Sequence, residues 1–268
     1  EKTPPPPPPP PPPPAETTSP ENVPPRPYPV FSIALDYHLF NHKLEFVNVT
    51  NNNLRSFSAK IQAAPTLRTE FYPLAFTDLG LFSGIGLDFS FGFGLGLKTK
   101  DENENAFPMK WMVVDGGLRW RLQFSKTWKA AVTPMLGIQH LSFSHGTLEN
   151  GTELSGFPNL KLTALRIGVG FELPFASDWV LIFGDFSILP TLSAKDILSD
   201  AYFPEGSAFG FETKLGIGIK VIGPLYVRLS GFFSRTNFSL NPSSSNPFQA
   251  DSAFHQRVGA QLGLCVSF

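Results

Sequence analysis

Residues 79–97 read LGLFSGIGLDFSFGFGLGL, a nineteen-residue stretch whose six glycines all fall on even numbers. The odd positions carry Leu79, Leu81, Ile85, Leu87, Phe89, Phe91, Phe93, Leu95 and Leu97, broken only by Ser83. With a single charge, Asp88, the stretch is long enough to cross a bilayer as a helix. Each interior glycine, however, costs a helix about 1 kcal/mol relative to alanine, and the pattern repeats every two residues rather than every 3.6. A period of two is the mark of a strand. A phosphate-cradling glycine loop would need a helix start followed by lysine and a hydroxyl residue, and neither follows Gly92-Phe93-Gly94-Leu95-Gly96. The stretch reads as a strand with one apolar face and one face of glycine and polar residues.

The same alternation recurs along the chain. From Phe209 to Val221 the odd positions are mostly apolar, whereas the even ones are Gly, Glu, Lys, Gly, Gly and Lys. From Phe254 to Phe268 the even positions are apolar apart from Gln256. Ten strands are expected, at about 30–40, 57–72, 79–98, 109–124, 128–144, 160–173, 179–191, 208–221, 225–236 and 254–268. Their connections alternate between short turns (Tyr72–Asp78, Ser125–Thr127, Pro174–Asp178, Ile222–Pro224) and long polar loops. An even number of antiparallel strands with short turns at one end and longer loops at the other describes an up-and-down transmembrane β-barrel. Closure is required in lipid, because an open sheet edge would leave backbone donors and acceptors without water.

The last residues, Val258-Gly-Ala-Gln-Leu-Gly-Leu-Cys-Val-Ser-Phe268, resemble the C-terminal strand signal of bacterial outer-membrane β-barrel proteins. The resemblance implies that Phe268 is read by the barrel-assembly machinery, that residues 29–268 form the barrel, and that outer-membrane lipids surround it. It implies a class of protein without choosing a function.

Composition agrees with that class. Phenylalanine occurs 27 times and only 16% of residues are charged, while the mean hydropathy is −0.01. The lipid face of a barrel is diluted two-fold along the sequence, so no apolar run of helical length is expected. Aromatics near strand ends read as two interfacial girdles: Tyr72, Trp128, Trp179, Tyr226 and Phe268 on the turn side, Phe57, Phe107, Trp111, Phe209 and Phe254 on the loop side. A net charge of −1 argues against a nucleic-acid partner. The one cysteine forms no internal disulfide. Beginning at Glu1 without methionine or an apolar leader, the chain reads as a mature form after removal of an export signal. Residues 1–28 are proline-rich, and Pro4–Pro14 is an unbroken run of eleven prolines. At ~3.1 Å per residue such a run is a stiff polyproline II rod of roughly 34 Å. It is expected to extend into the periplasm, as a passive leader or as a ligand for a periplasmic protein with an aromatic groove.

Strand parity directs Asp36, His38, Arg68, Glu70, Asp88, Asp115, Arg119, Arg121, Arg166, Glu172, Asp185, Glu212, Lys214, Lys220, Arg228 and Arg257 into the lumen. Mixed signs in a narrow tube pair and fill space, with the glycines of 79–98 leaving room for arginines from the opposite wall. Open aqueous pores belong to barrels of about sixteen strands. A largely occluded lumen is therefore expected.

One stretch carries residues suited to chemistry: Gln139-His140-Leu141-Ser142, with His145, Glu149 and Glu153 beyond. Alternate residues share a strand face, so His140 and Ser142 could act as base and nucleophile with a glutamate orienting the histidine. Parity puts both on the lipid face. The arrangement resembles the His-x-Ser motif of outer-membrane lipid A deacylases and phospholipases, which implies His140 as base, Ser142 as nucleophile and Glu149 or Glu153 as orienting acid. Those families follow the serine with Asn-Gly, whereas Phe143-Ser144 stand here. The plainer reading is a polar strand end leaving the membrane. No cofactor or metal is expected. The sequence thus points to a non-enzymatic barrel that anchors an envelope assembly through its tail, with a lipid-acyl hydrolase and a narrow porin-like channel as the alternatives.

Overall fold

In this computed structural model, residues 29–50, 54–77, 79–100, 106–124, 129–146, 158–175, 178–242 and 247–268 are described, and for residues 95, 96, 99, 100 and 106 the backbone alone. Ten long strands form one antiparallel sheet: β1 (Phe31–Val47), β2 (Phe57–Phe71), β3 (Ile85–Lys100), β4 (Ala106–Trp120), β6 (Ala131–His145), β7 (Leu160–Phe175), β8 (Val180–Asp196), β9 (Ser207–Ile222), β10 (Leu225–Ser239) and β11 (Ser252–Ser267). The two-residue β5 (Leu122–Gln123) continues the β4 edge against β6. Each long strand pairs with its neighbours in chain order, and β1 pairs with β11, which closes the sheet into a barrel. At the seam the Val30 amide donates to the Phe268 carbonyl at 2.5 Å, and the Phe268 amide donates to the Phe31 carbonyl at 2.8 Å.

The opening stretch is a strand only from Ile85. Gly80–Gly84 form a 3-10 turn that follows a first one at Pro73–Phe76, so the β2–β3 connection is longer than the alternation suggested. Gly80 takes φ +59°, which glycine adopts without steric cost. The strand's inward glycines make room for neighbours, although not for arginines from the far wall. A Cβ on Gly86 would lie 2.6 Å from the Tyr72 ring, and one on Gly92 would lie 3.0 Å from the Trp111 ring.

Among the described residues the register shifts at four places, one of them at the β9–β10 turn between Leu225 and Tyr226 and three within the wall. The β1–β2 register shifts between Phe40 and His42, where Ile61 takes φ +47°. The β3–β4 register shifts between Gly94 and Leu97, which turns Leu97 inward instead of toward lipid. The β7–β8 register shifts between Thr163 and Ala164. A bulge adds one residue to one strand, so every side chain beyond it changes face.

The barrel reverses its polarity along its axis. In the half nearer the short turns, outward residues are apolar and exposed, including Leu35, Leu87, Leu118, Leu136, Ile167, Phe186, Ile217, Leu229 and Leu262, while inward residues are charged. In the half nearer the long loops, Phe40, Leu44, Phe57, Trp111, Phe143 and Phe238 point inward and are buried. The outward positions there include Asn41, Lys43, Lys60, Lys110, Lys161 and Lys195, while Leu192 on β8 and Phe209 on β9 stay exposed and apolar. On β1 the apolar outward series spans Phe31–Leu39, nine residues, which matches the roughly 9–11 residues of a tilted membrane-spanning strand. Beyond that band β1, β4 and β7 present lysine outward and apolar residues inward, as in a water-soluble barrel.

This reversal revises the aromatic girdles. Phe57, Phe107 and Trp111 belong to the interior on the loop side, and Tyr72 is fully buried on the turn side. Tyr226 lies on the inward-facing parity of β10. Trp179, Phe209 and Phe268 are exposed, Phe254 is half-buried on the outward face, and Trp128 lies outside the described residues.

Candidate functional site

The lumen is the part of the molecule where polar chemistry is concentrated, and strand pairing sets its layers. On the turn side a lattice of ion pairs crosses it. Arg119 pairs with Glu70 and Arg166 with Asp88. Arg121 meets Glu172 at 2.5 Å, Lys214 meets Asp185 at 2.7 Å, and Arg68 meets Asp36 at 3.5 Å. Arg257 donates to both Glu212 and Ser234 at 3.2 Å. Ser90 donates to Asp115 at 2.8 Å, and Gln261 donates to the Nδ1 of His38 at 3.1 Å. Arg228 stacks over the Phe183 ring at 3.7 Å. Lys220 stands on the same parity near the turns, half-buried. Unpaired, each of these buried charges would cost several kcal/mol, so mutual pairing is the condition for placing them here. The free space among them is about 130 Å³, room for a few waters.

Apolar and aromatic residues flank this layer along the axis. Toward the turns, the Tyr72 hydroxyl donates to Glu70 at 3.3 Å while its amide donates to the Val30 carbonyl at 2.8 Å, and its buried ring packs with Ala75 and Val30. Toward the loops, His42 stacks on Phe143 with centroids 3.8 Å apart and meets His255 edge-on at 4.7 Å. Ile197 and Phe203, from the β8–β9 connection, are fully buried and join this apolar cluster. Strand parity of the charged residues does not reveal the aromatic plug; its signal lies in the inward series Phe40-His42-Leu44-Phe46 and Phe107-Met109-Trp111-Val113.

His140 and Ser142 both lie on the outward face of β6. The Nδ1 of His140 is 3.0 Å from the Thr163 hydroxyl, its partner in register on β7. Ser142 lies opposite Lys161. Among the described residues no hydrogen bond joins His140 to Ser142. Glu149 and Glu153 lie outside the described residues, as do Pro4, Pro14 and the rest of the 1–28 tail. Among the described residues no group of three or more His, Cys, Asp or Glu side chains is placed to hold a metal ion. The one cysteine, Cys265, is buried beside Ser32 and is reached by Arg228 at 3.9 Å.

No protein-family model and no curated protein matches the sequence. Among solved structures, the chain is similar to the outer membrane protease OmpT from Escherichia coli, with a TM-score of 0.52 and 10% identity over 89% of this chain and 96% of that one. It is also similar to the translocator domain of the autotransporter NalP from Neisseria meningitidis, with a TM-score of 0.46 and 12% identity over 89% and 88% of the two chains. At these identities the likeness is one of fold. The chain has the fold of a bacterial outer-membrane β-barrel.

Proposed function

We propose that this protein is a closed barrel of the bacterial outer membrane, with its turns toward the periplasm, that anchors an envelope assembly through residues 1–28. The observation that supports this reading is the filled bore: the ion-pair lattice, with Tyr72 bonded to its Glu70, and the His42–Phe143 plug follow one another along the axis. A bore so occupied suits a membrane mount better than a porin. The proline run then supplies a rigid rod for a periplasmic partner. Two measurements on the full chain test this. Planar-bilayer recordings are expected to show almost no steady conductance, and a large stable conductance would make the protein a channel. Affinity capture from detergent extracts is expected to retain a periplasmic partner with the full chain and lose it after deletion of Glu1–Pro27. Capture unaffected by the deletion would end the anchor reading.

A further inference from the structure

Outward-facing cations are distributed unevenly on this barrel. Among the described residues, the strands carry none on the outside near the short turns, where Lys129 is paired with Asp178. Near the loops, exposed lysines line the wall from β1 to β8; Lys43 on β1 is paired with Glu45, Lys60 stands on β2, and from β3 onward they form a continuous row. Lys98 on β3 lies opposite Pro108 on β4, and Lys110, two residues further along β4, lies opposite Ser144 on β6. Ser142, two residues along β6, lies opposite Lys161 on β7, which lies opposite Lys195 on β8. All four lysines are exposed. With strands ~4.8 Å apart, the row runs roughly 20 Å around the barrel.

Among the described residues the row carries little counter-charge. Lys161 and Lys195 are direct cross-strand partners, and like charges so placed destabilise a sheet unless an anion sits between them. Among the described residues the only carboxylate paired with the row is Asp196, 3.2 Å from Lys161. The hydroxyls of Ser142 and Ser144 stand between the lysines as neutral hydrogen-bond donors.

Height identifies the ligand. On β4 the residue two positions toward the turns from Lys110 is Met112, followed outward by Val114, Gly116 and Leu118. On β7, Lys161 and Thr163 are followed by Leu165, Ile167 and Val169. The row therefore sits directly above the apolar band, where lipid headgroups meet water.

We propose that Lys98, Lys110, Lys161 and Lys195 form a belt that binds the phosphates of lipid headgroups in the leaflet on the loop side. The proposal rests on the outer-membrane reading above and adds a lipid specificity to one face of the barrel. A phosphomonoester carries between one and two negative charges near neutrality and offers oxygens to several ammonium groups at once. His140, bonded to Thr163, belongs to this polar rim.

The test uses the full chain in phosphatidylcholine nanodiscs with or without phosphatidic acid, and counts retained lipid by native mass spectrometry. Phosphatidic acid should be retained preferentially. The triple variant K110Q/K161Q/K195Q should lose about 100-fold in that preference, about five-fold per lysine, while Lys129→Gln at the opposite end should leave it unchanged. A gel-mobility shift on boiling must persist in the triple variant. If it does not, the single Lys195→Gln, expected to lose about five-fold, replaces it. Equal retention of both lipids, or wild-type preference in a folded variant, would overturn the belt. So would displacement of the lipid by millimolar inorganic phosphate, which would indicate a free-anion site. Membrane fractionation of cells reads location separately, so a failed belt and a failed outer-membrane assignment are distinguishable.

Discussion

Arg166 reaches Asp88 over two intervening strands because the residues between them in the cross-strand row are both glycine. Asp88 lies opposite Gly117, Gly117 opposite Gly137, and Gly137 opposite Arg166. Neither glycine tolerates a side chain. A Cβ on Gly117 would lie 2.5 Å from the Leu136 carbonyl oxygen, and one on Gly137 would lie 2.5 Å from that of Gly116. Replacing Arg166 by Met strands the buried Asp88 carboxylate, and the expected loss is about 3–5 kcal/mol. The double variant D88N/R166M should recover much of it. Urea unfolding in micelles, followed by tryptophan fluorescence, measures both. A single variant as stable as wild type would mean that the pair is dispensable.

Phe143→Ala removes the ring against which His42 stacks. The site is fully buried, so the expected destabilisation is about 3–5 kcal/mol. The same unfolding experiment reads it, and a loss below 1 kcal/mol would show that the plug is not packed as a core.

Ile61 is β-branched, 76% exposed and held at φ +47° in the β1–β2 bulge, where its amide donates to Asn41 at 2.8 Å. A left-handed backbone costs an L-residue about 1–2 kcal/mol. Ile61→Gly keeps the amide and loses little burial, so a net gain of about 1 kcal/mol is expected in the unfolding midpoint. Destabilisation would mean that the exposed side chain contributes more than its backbone costs.

Phe268 exposes its ring while its backbone seals the seam with Val30 and Phe31. Phe268→Ser should therefore barely change the stability of assembled barrel, yet reduce the amount reaching the membrane in cells. Equal membrane yield would remove the assembly-signal role of that residue.

Incubation with phospholipid and lipid A is expected to release no fatty acid, from wild type or from Ser142→Ala alike. Release by wild type that Ser142→Ala abolishes would establish the hydrolase instead.

Strand number and closure are legible in the sequence because lipid imposes a two-residue alternation on every spanning strand. Two things are not. Alternation was read as one rule for the whole length of each strand, whereas beyond the apolar band water lies outside and the apolar face turns inward, as at Trp111 and Phe57. The bulges at Ile61 and near Leu97 each add a residue, and a parity count cannot register an insertion without knowing the partner strand. The lysine row was hidden for the same reason: Lys110, Lys161 and Lys195 are far apart in sequence and become neighbours only through register.

The β1–β11 seam runs from Ser32 opposite Ser267 to Val47 opposite Ser252, so its contacts join residues more than 200 positions apart. A contact of that sequence separation is among the slowest a chain can form, since the whole intervening loop must be closed before any of its hydrogen bonds is gained. Until β11 arrives, β1 is an edge with sixteen unpaired register positions, and an exposed edge is a template for pairing with other chains. The nascent protein therefore needs escort over nearly its full length, and a defect in its last strand would appear as aggregation before it appeared as instability.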